Sequence, residues 1–238
     1  MQNILLLKNR EEYDNAPKCE LGKKIMALYE DNSLQYNLND KGNYFTATYN
    51  VTSTTYNTQL LGDNFDLTQI TSMKIDDVTI NTPITKCKFN TIGEHKIKCS
   101  FCQLNEEDKY ILTLTSCENM FSGCRRLTSL DLSSFDTSNV TSMYNMFNVC
   151  DSLASIEFGG NFDTSNVTNM RRMFCGCTNL TSLDLSNFNT SAVTDMSEMF
   201  GYSTKTYSAN SYYYDACYYL TSITFSDNFD TSNVTNMS

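Results

Sequence analysis

The sequence predicts an α+β chain: a small β-sandwich followed by stacked repeats, each a short strand and a short helix. Three observations predict it. A motif returns every 26 or 27 residues, apolar and polar residues alternate within each copy, and a second apolar set then falls at spacings of three and four. On this reading, residues 1–40 are an N-terminal segment, 41–108 the β-sandwich and 109–238 the repeat array, with an insertion at 201–216.

The N-terminal segment mixes charge and hydrophobes, as an anchoring piece or a mixed α/β piece would, and it carries no chemical motif. Its opening, MQNILLLKNREEYD, has four apolar residues in a row with no base ahead of them and acids soon after. That is not the pattern of a secretory signal. No apolar run approaches the ~20 residues of a spanning helix, so no membrane insertion is expected.

In the second segment Phe45, Ala47, Tyr49 and Val51 alternate with polar residues, and Met73, Ile75, Val78 and Ile80 flank Asp76-Asp77. Residues 86–90 and 95–101 bracket Thr91-Ile92-Gly93-Glu94 as the arms of a hairpin would. Short strands at this spacing predict an immunoglobulin-like sandwich. Leu112 and Leu114 then imitate a repeat strand in abridged form, which would cap the open end of the array.

The repeats read NMFSGCRRLTSLDLSSFDTSNVTSMY from residue 119, NMFNVCDSLASIEFGGNFDTSNVTNMR from 145 and RMFCGCTNLTSLDLSNFNTSAVTDMS from 172. A fourth begins at Glu198, is interrupted, and resumes at Cys217. Phe121, Phe147, Phe174 and Phe200 are 26, 27 and 26 residues apart, the extra residue falling at Gly159-Gly160-Asn161. Leu130 and Leu132 alternate with Ser129 and Asp131, the signature of a strand with one buried face. Asp136-Thr137-Ser138 closes a turn, and Val140, Met143, Met146 and Phe147 then fit a short helix. No such unit buries its apolar face alone; stacked copies share a core. The chain given stops at Asn236-Met237-Ser238, where further repeats or an assembly subunit would continue the stack.

The pattern MFxGCxxLxxLDLSxFDTSxVTxM resembles the 26-residue repeat of BspA-like bacterial surface proteins, a divergent leucine-rich-repeat group. The resemblance implies a leucine-rich-repeat-like solenoid and a place on the cell surface, outside the cell or on a virion. It also implies adhesion or recognition rather than catalysis. Related repeats occur in proteins of phages that infect gut bacteria, which need no secretory signal, and similar β-domains precede such repeats.

The chemistry agrees with a non-enzyme. A net charge of −10 leaves no basic footprint for nucleic acid. His95 is the single histidine, with no nucleophile motif beside it; it is expected on the surface of its hairpin. Cys99 and Cys102, with Cys87 and Cys117 nearby in sequence, form a lone CxxC on a presumed strand, which sends its two thiols to opposite faces. Neither metal nor cofactor is expected. Cys124, Cys150, Cys177 and Cys217 hold one slot in four repeats and are read as a ladder of small buried side chains, with Cys175 outside the core. Asp136, Asp163, Asn189 and Asp230 are turn caps.

Two features suggest binding. Stacking would align Asp131, Glu157 and Asp184 in an outward row, which suits a basic partner or simply a solvated face. The insertion places Tyr202, Tyr207, Tyr212, Tyr213 and Tyr214 among Ser, Thr and Asn, the composition of an antibody combining loop. The expected partner is a cell-surface protein or glycan. The alternative is a structural spacer or decoration subunit of a phage virion or cell-surface assembly.

Overall fold

The structure, a computed structural model, describes residues 43–104, 110–112, 114–201 and 216–238. Twelve strands are present among them: β1 (Tyr44–Val51), β2 (Thr58–Gln59), β3 (Ser72–Ile75), β4 (Val78–Ile80), β5 (Lys86–Cys87), β6 (Gly93–Ser100), β7 (Cys102–Leu104), β8 (Tyr110–Leu112), β9 (Leu127–Leu132), β10 (Ser155–Phe158), β11 (Ser182–Leu185) and β12 (Ser222–Phe225).

Six of them form one sheet in the order β10-β9-β1-β6-β3-β4; β11-β12, β2-β5 and β7-β8 are separate pairs. The alternation in β1 is realised fully, with Phe45, Ala47, Tyr49 and Val51 all buried. β3 and β4 form the hairpin expected around Asp76-Asp77, both at positive φ (48° and 65°), as a two-residue primed turn requires. The second expected hairpin does not form. β5 pairs with β2, and β6 lies between β1 and β3.

The fold class needs correction. Among the described residues helical structure is confined to one three-residue 3-10 turn, Leu67–Gln69, so the chain is not an α+β solenoid with a helix in each repeat. The segment after each strand is a staircase of turns. Met143, Asn145, Phe147 and Val149 donate their N–H groups to Asn169, Arg171, Met173 and Cys175 of the next repeat. Met146, Asn148 and Cys150 donate three residues back, to Met143, Asn145 and Phe147. Positive φ at Asn145 (56°) and Val149 (60°) ends each turn before a helix can propagate. Nor do the strands close into a continuous array, because the hydrogen-bonded ladder breaks between β10 and β11. The region expected as a sandwich contributes four strands to the same sheet as the first two repeats.

The repeats do stack. Isolated parallel bridges join Ser142 to Asn169, Asn169 to Asp195 and Asp195 to Asn236. Phe121, Phe147, Phe174 and Phe200 stack face to face at centroid distances of 5.7, 5.3 and 5.7 Å. One apolar cluster runs from Phe45 of β1 through these rings to Cys217. The end expected to be capped by an abridged repeat is covered on two sides: β1 pairs antiparallel with β9, while on the turn side Thr115 accepts from the Thr141 amide and Cys117 donates to the Ser142 carbonyl, with Leu114 and Cys117 buried. Leu112 lies in β8, paired with β7.

Candidate binding face

In β9 and β11 the leucines turn inward and the polar residues outward, in β10 and β12 Ile156 and Ile223 take the inward place half-buried, and the register aligns the outward residues. Asp131 is opposite Glu157 and Ser129 opposite Ser155 across β9 and β10; Asp184 is opposite Thr224 and Ser182 opposite Ser222 across β11 and β12. The three acids are exposed, as a binding row requires. The Asp131 carboxylate accepts from the Ser133 amide at 2.9 Å and its hydroxyl at 2.6 Å. Asp184 accepts from the Ser186 amide at 2.9 Å, and that bond, followed by the Ser186 hydroxyl, holds its carboxyl below the usual range. These bonds fix the carboxylates rather than neutralise them.

The sequence did not reveal that the row continues past the repeats. Through β1 it reaches Thr46, then Lys98 on β6 and Lys74 on β3. Lys98 Nζ sits 3.8 Å from the centroid of the Tyr44 ring. Local alternation in each strand was the available signal; the β1–β9 pairing that joins them spans more than eighty residues. Tyr202, Tyr207, Tyr212, Tyr213 and Tyr214 lie outside the described residues. Beside them, Tyr218 and Tyr219 are exposed and in edge-to-face contact at 5.1 Å.

His95 is not on the surface. It is 7 % exposed, lies 4.0 Å from Phe89 ring to ring, and places Nδ1 2.6 Å from Asp76 Oδ2 and Nε2 3.1 Å from the Thr91 carbonyl. Burial pushes the Asp76 carboxyl up, but the bonds from His95 and the Lys96 amide outweigh it and leave it below the usual range. The pair clamps the β3–β4 turn onto β6.

The cysteine ladder does more than fill space. Cys150, Cys177 and Cys217 donate their thiols to the carbonyls of Phe121, Phe147 and Phe174, one repeat earlier, at 3.1, 3.1 and 3.0 Å. Burial raises the thiols of Cys99, Cys117 and Cys124, and raises Cys217 to about 11. Cys175 has no exposed surface yet does not join the continuous apolar cluster; burial likewise lifts it to about 11. Cys99 and Cys117 are both buried, and no described group of three His, Cys, Asp or Glu could hold a metal ion. Asp136, Asp163, Asn189 and Asp230 each accept the amide two residues on, at 2.8 to 3.0 Å, as turn caps do. An open polar depression near the last repeat is lined by Asn189, Ser191, Asp227, Asn228, Phe229 and Asp230. No helix among the described residues is long and apolar enough to cross a membrane.

Comparison with curated proteins and with solved structures gave no match. Residues 115–218, which span the stacked turns and β9 to β11, match the family described as Mycoplasma protein of unknown function, DUF285.

Proposed function

We propose that this is a non-enzymatic recognition protein of the BspA-like surface-repeat type, displayed on a cell surface or a virion. It adheres to a cell-surface protein or glycan. The observation that supports this reading is the exposed row in which Asp131 and Glu157 stand in register, continued by Asp184. Stacking multiplies one residue into a repeated contact, which is how repeat arrays build extended binding surfaces. The tyrosine-rich insertion adds aromatic area suited to sugars and protein surfaces alike.

Screening against glycans and host surface proteins tests the proposal. Deleting residues 202–215 should abolish binding and leave the thermal transition in place. Replacing Asp131, Glu157 and Asp184 together by Asn, Gln and Asn should weaken binding at least tenfold. Unchanged binding in both variants would remove the assignment. A second reading, a spacer in a virion or surface assembly, is favoured by the uninterrupted apolar cluster, which makes the stack stiff. A spacer would bind nothing tightly in the same screen.

A further inference from the structure

The repeats are of two kinds, and they alternate. β9 and β11 both contain Ser-Leu-Asp-Leu and reach the next phenylalanine three residues on, at Phe135 and Phe188. β10 and β12 hold Ile and Phe in the places of the two leucines, Ile156 with Phe158 and Ile223 with Phe225. They reach the next phenylalanine four residues on, at Phe162 and Phe229.

The hydrogen bonds follow the same alternation. From β9 to β10 the strands form a ladder, Ala154 donates to the Thr128 carbonyl and Thr137 to that of Asn161. From β11 to β12 all three features recur, with Thr221 donating to Thr181 and Thr190 to Asn228. Between β10 and β11 none of the three is present among the described residues. Side chains bridge that seam instead. Asn187 Nδ2 donates to the Gly159 carbonyl at 3.3 Å, and Thr164 Oγ1 donates to the Asn189 carbonyl and accepts from its amide, both at 2.8 Å. Phe158, bulkier than the leucine it replaces, packs edge-on against Phe188 at 5.2 Å and holds the next strand off. Burial records the same gap. Ile156 and Phe158 have a repeat on either side yet stay half-buried, whereas Leu132 and Leu185 are fully enclosed.

Behind the seam the turns remain bonded. Met170, Arg172 and Phe174 donate to Asp195, Ser197 and Met199 at 2.9 to 3.0 Å, Arg171 and Arg172 pair with Glu198, and Phe174 stacks on Phe200. One side of the joint is held by backbone bonds and the other is not, which is how a hinge is made. We infer that the array consists of two-repeat blocks and bends at the β10–β11 seam, opening on the strand side about the bonded turns. The apolar cluster continues across the seam, so opening widens the joint without parting the blocks. The stack is stiff within a block and compliant between blocks. The motion needs no ligand and is independent of the recognition reading.

Thiol labelling of the full chain, read peptide by peptide by mass spectrometry, tests it. Leu132→Cys and Leu185→Cys are matched probes. Both sites are 0 % exposed and hold the same place in their strands, but only Leu185 borders the seam. Relative to each variant's own global unfolding, Leu185→Cys should label at least about a hundredfold faster than Leu132→Cys. Its rate should be nearly independent of dilute urea, because local opening exposes little surface. Cys177, buried beside the bonded turns, should stay protected in the same molecules. Phe158→Leu combined with deletion of Gly160 gives β10 the form of β9 and should slow labelling of the Leu185→Cys probe at least tenfold. Equal labelling of the two probes overturns the inference. So does labelling of Cys177 together with the Leu185→Cys probe, the mark of an array fraying from its end, or a rate that the β10 variant leaves unchanged. If the thermal transition shows that the β10 variant does not fold, the two matched probes decide by themselves.

Discussion

Backbone sign, more than side-chain bulk, determines the shape of each repeat. Asn119, Asn145, Arg172 and Glu198 occupy one slot at φ of 55° to 57°, and Gly123, Val149 and Gly176 occupy a second at 60° to 77°. A side chain in the left-handed region costs roughly 1–2 kcal/mol, so glycine is the natural occupant of the second slot. Gly123 isolates this effect, because a Cβ there would meet nothing within 4 Å. Gly123→Ala should lower stability by about 1 kcal/mol in urea denaturation with an unchanged slope. The first slot also carries charge: Arg172 and Arg171 both pair with Glu198. The Arg172 bond is the main reason the Glu198 carboxyl lies below the usual range.

At the scale of the element, the face-to-face phenylalanine column holds consecutive repeats together. Phe147 contacts Phe121, Phe174 and Phe158, so Phe147→Ala opens a cavity shared by three repeats and should cost about 3–5 kcal/mol in denaturant unfolding. Beside the column, Cys150 and Cys177 are buried and already donate to backbone carbonyls, and burial pushes both thiols well up. Thiol reagents at neutral pH should leave peptides containing Cys150 and Cys177 unmodified until urea unfolds the chain, as read by mass spectrometry. The strands and this ladder were legible in the sequence because each rests on local alternation or exact repetition. The helix was misread for a definite reason: Val140, Met143, Met146 and Phe147 are spaced as a helix face is, but a run of three-residue turns produces the same spacing. What separates them is the sign of φ at Asn145 and Val149, which residue type alone does not fix. His95 was misplaced because its cover, Phe89 and Asp76, comes from outside its own strand.

For the whole molecule, the decisive contact is β1 against β9. It could not be read from the sequence, since it joins segments over eighty residues apart and brings together chains of unlike pattern. It merges the first strands and the repeats into one sheet over one apolar cluster. Unfolding should therefore be a single transition with coincident circular dichroism and fluorescence, and residues 114–238 expressed alone should aggregate through the uncovered edge of β9. Acid acts on the whole as well. Asp63, held by Lys86, joins Asp76, Asp184, Glu198 and Asp230 below the usual carboxylate range. A depressed carboxyl adds stability above its unfolded-state value and loses it as pH falls through its folded-state value. Asp151, raised by burial, has the opposite sign. The urea midpoint should stay level from pH 7 to about 5 and fall below about 4, where the five outweigh the one.

The antiparallel seal made by β1 also bears on how such a chain can vary. A strand running against the repeats offers no copy of the motif on which another unit could be templated, so the sealed side is fixed. Duplication or loss of an internal unit, each advancing the column by about 5 Å, would change its reach and leave the seal intact. Length is then a freely adjustable trait on one side of a constant base.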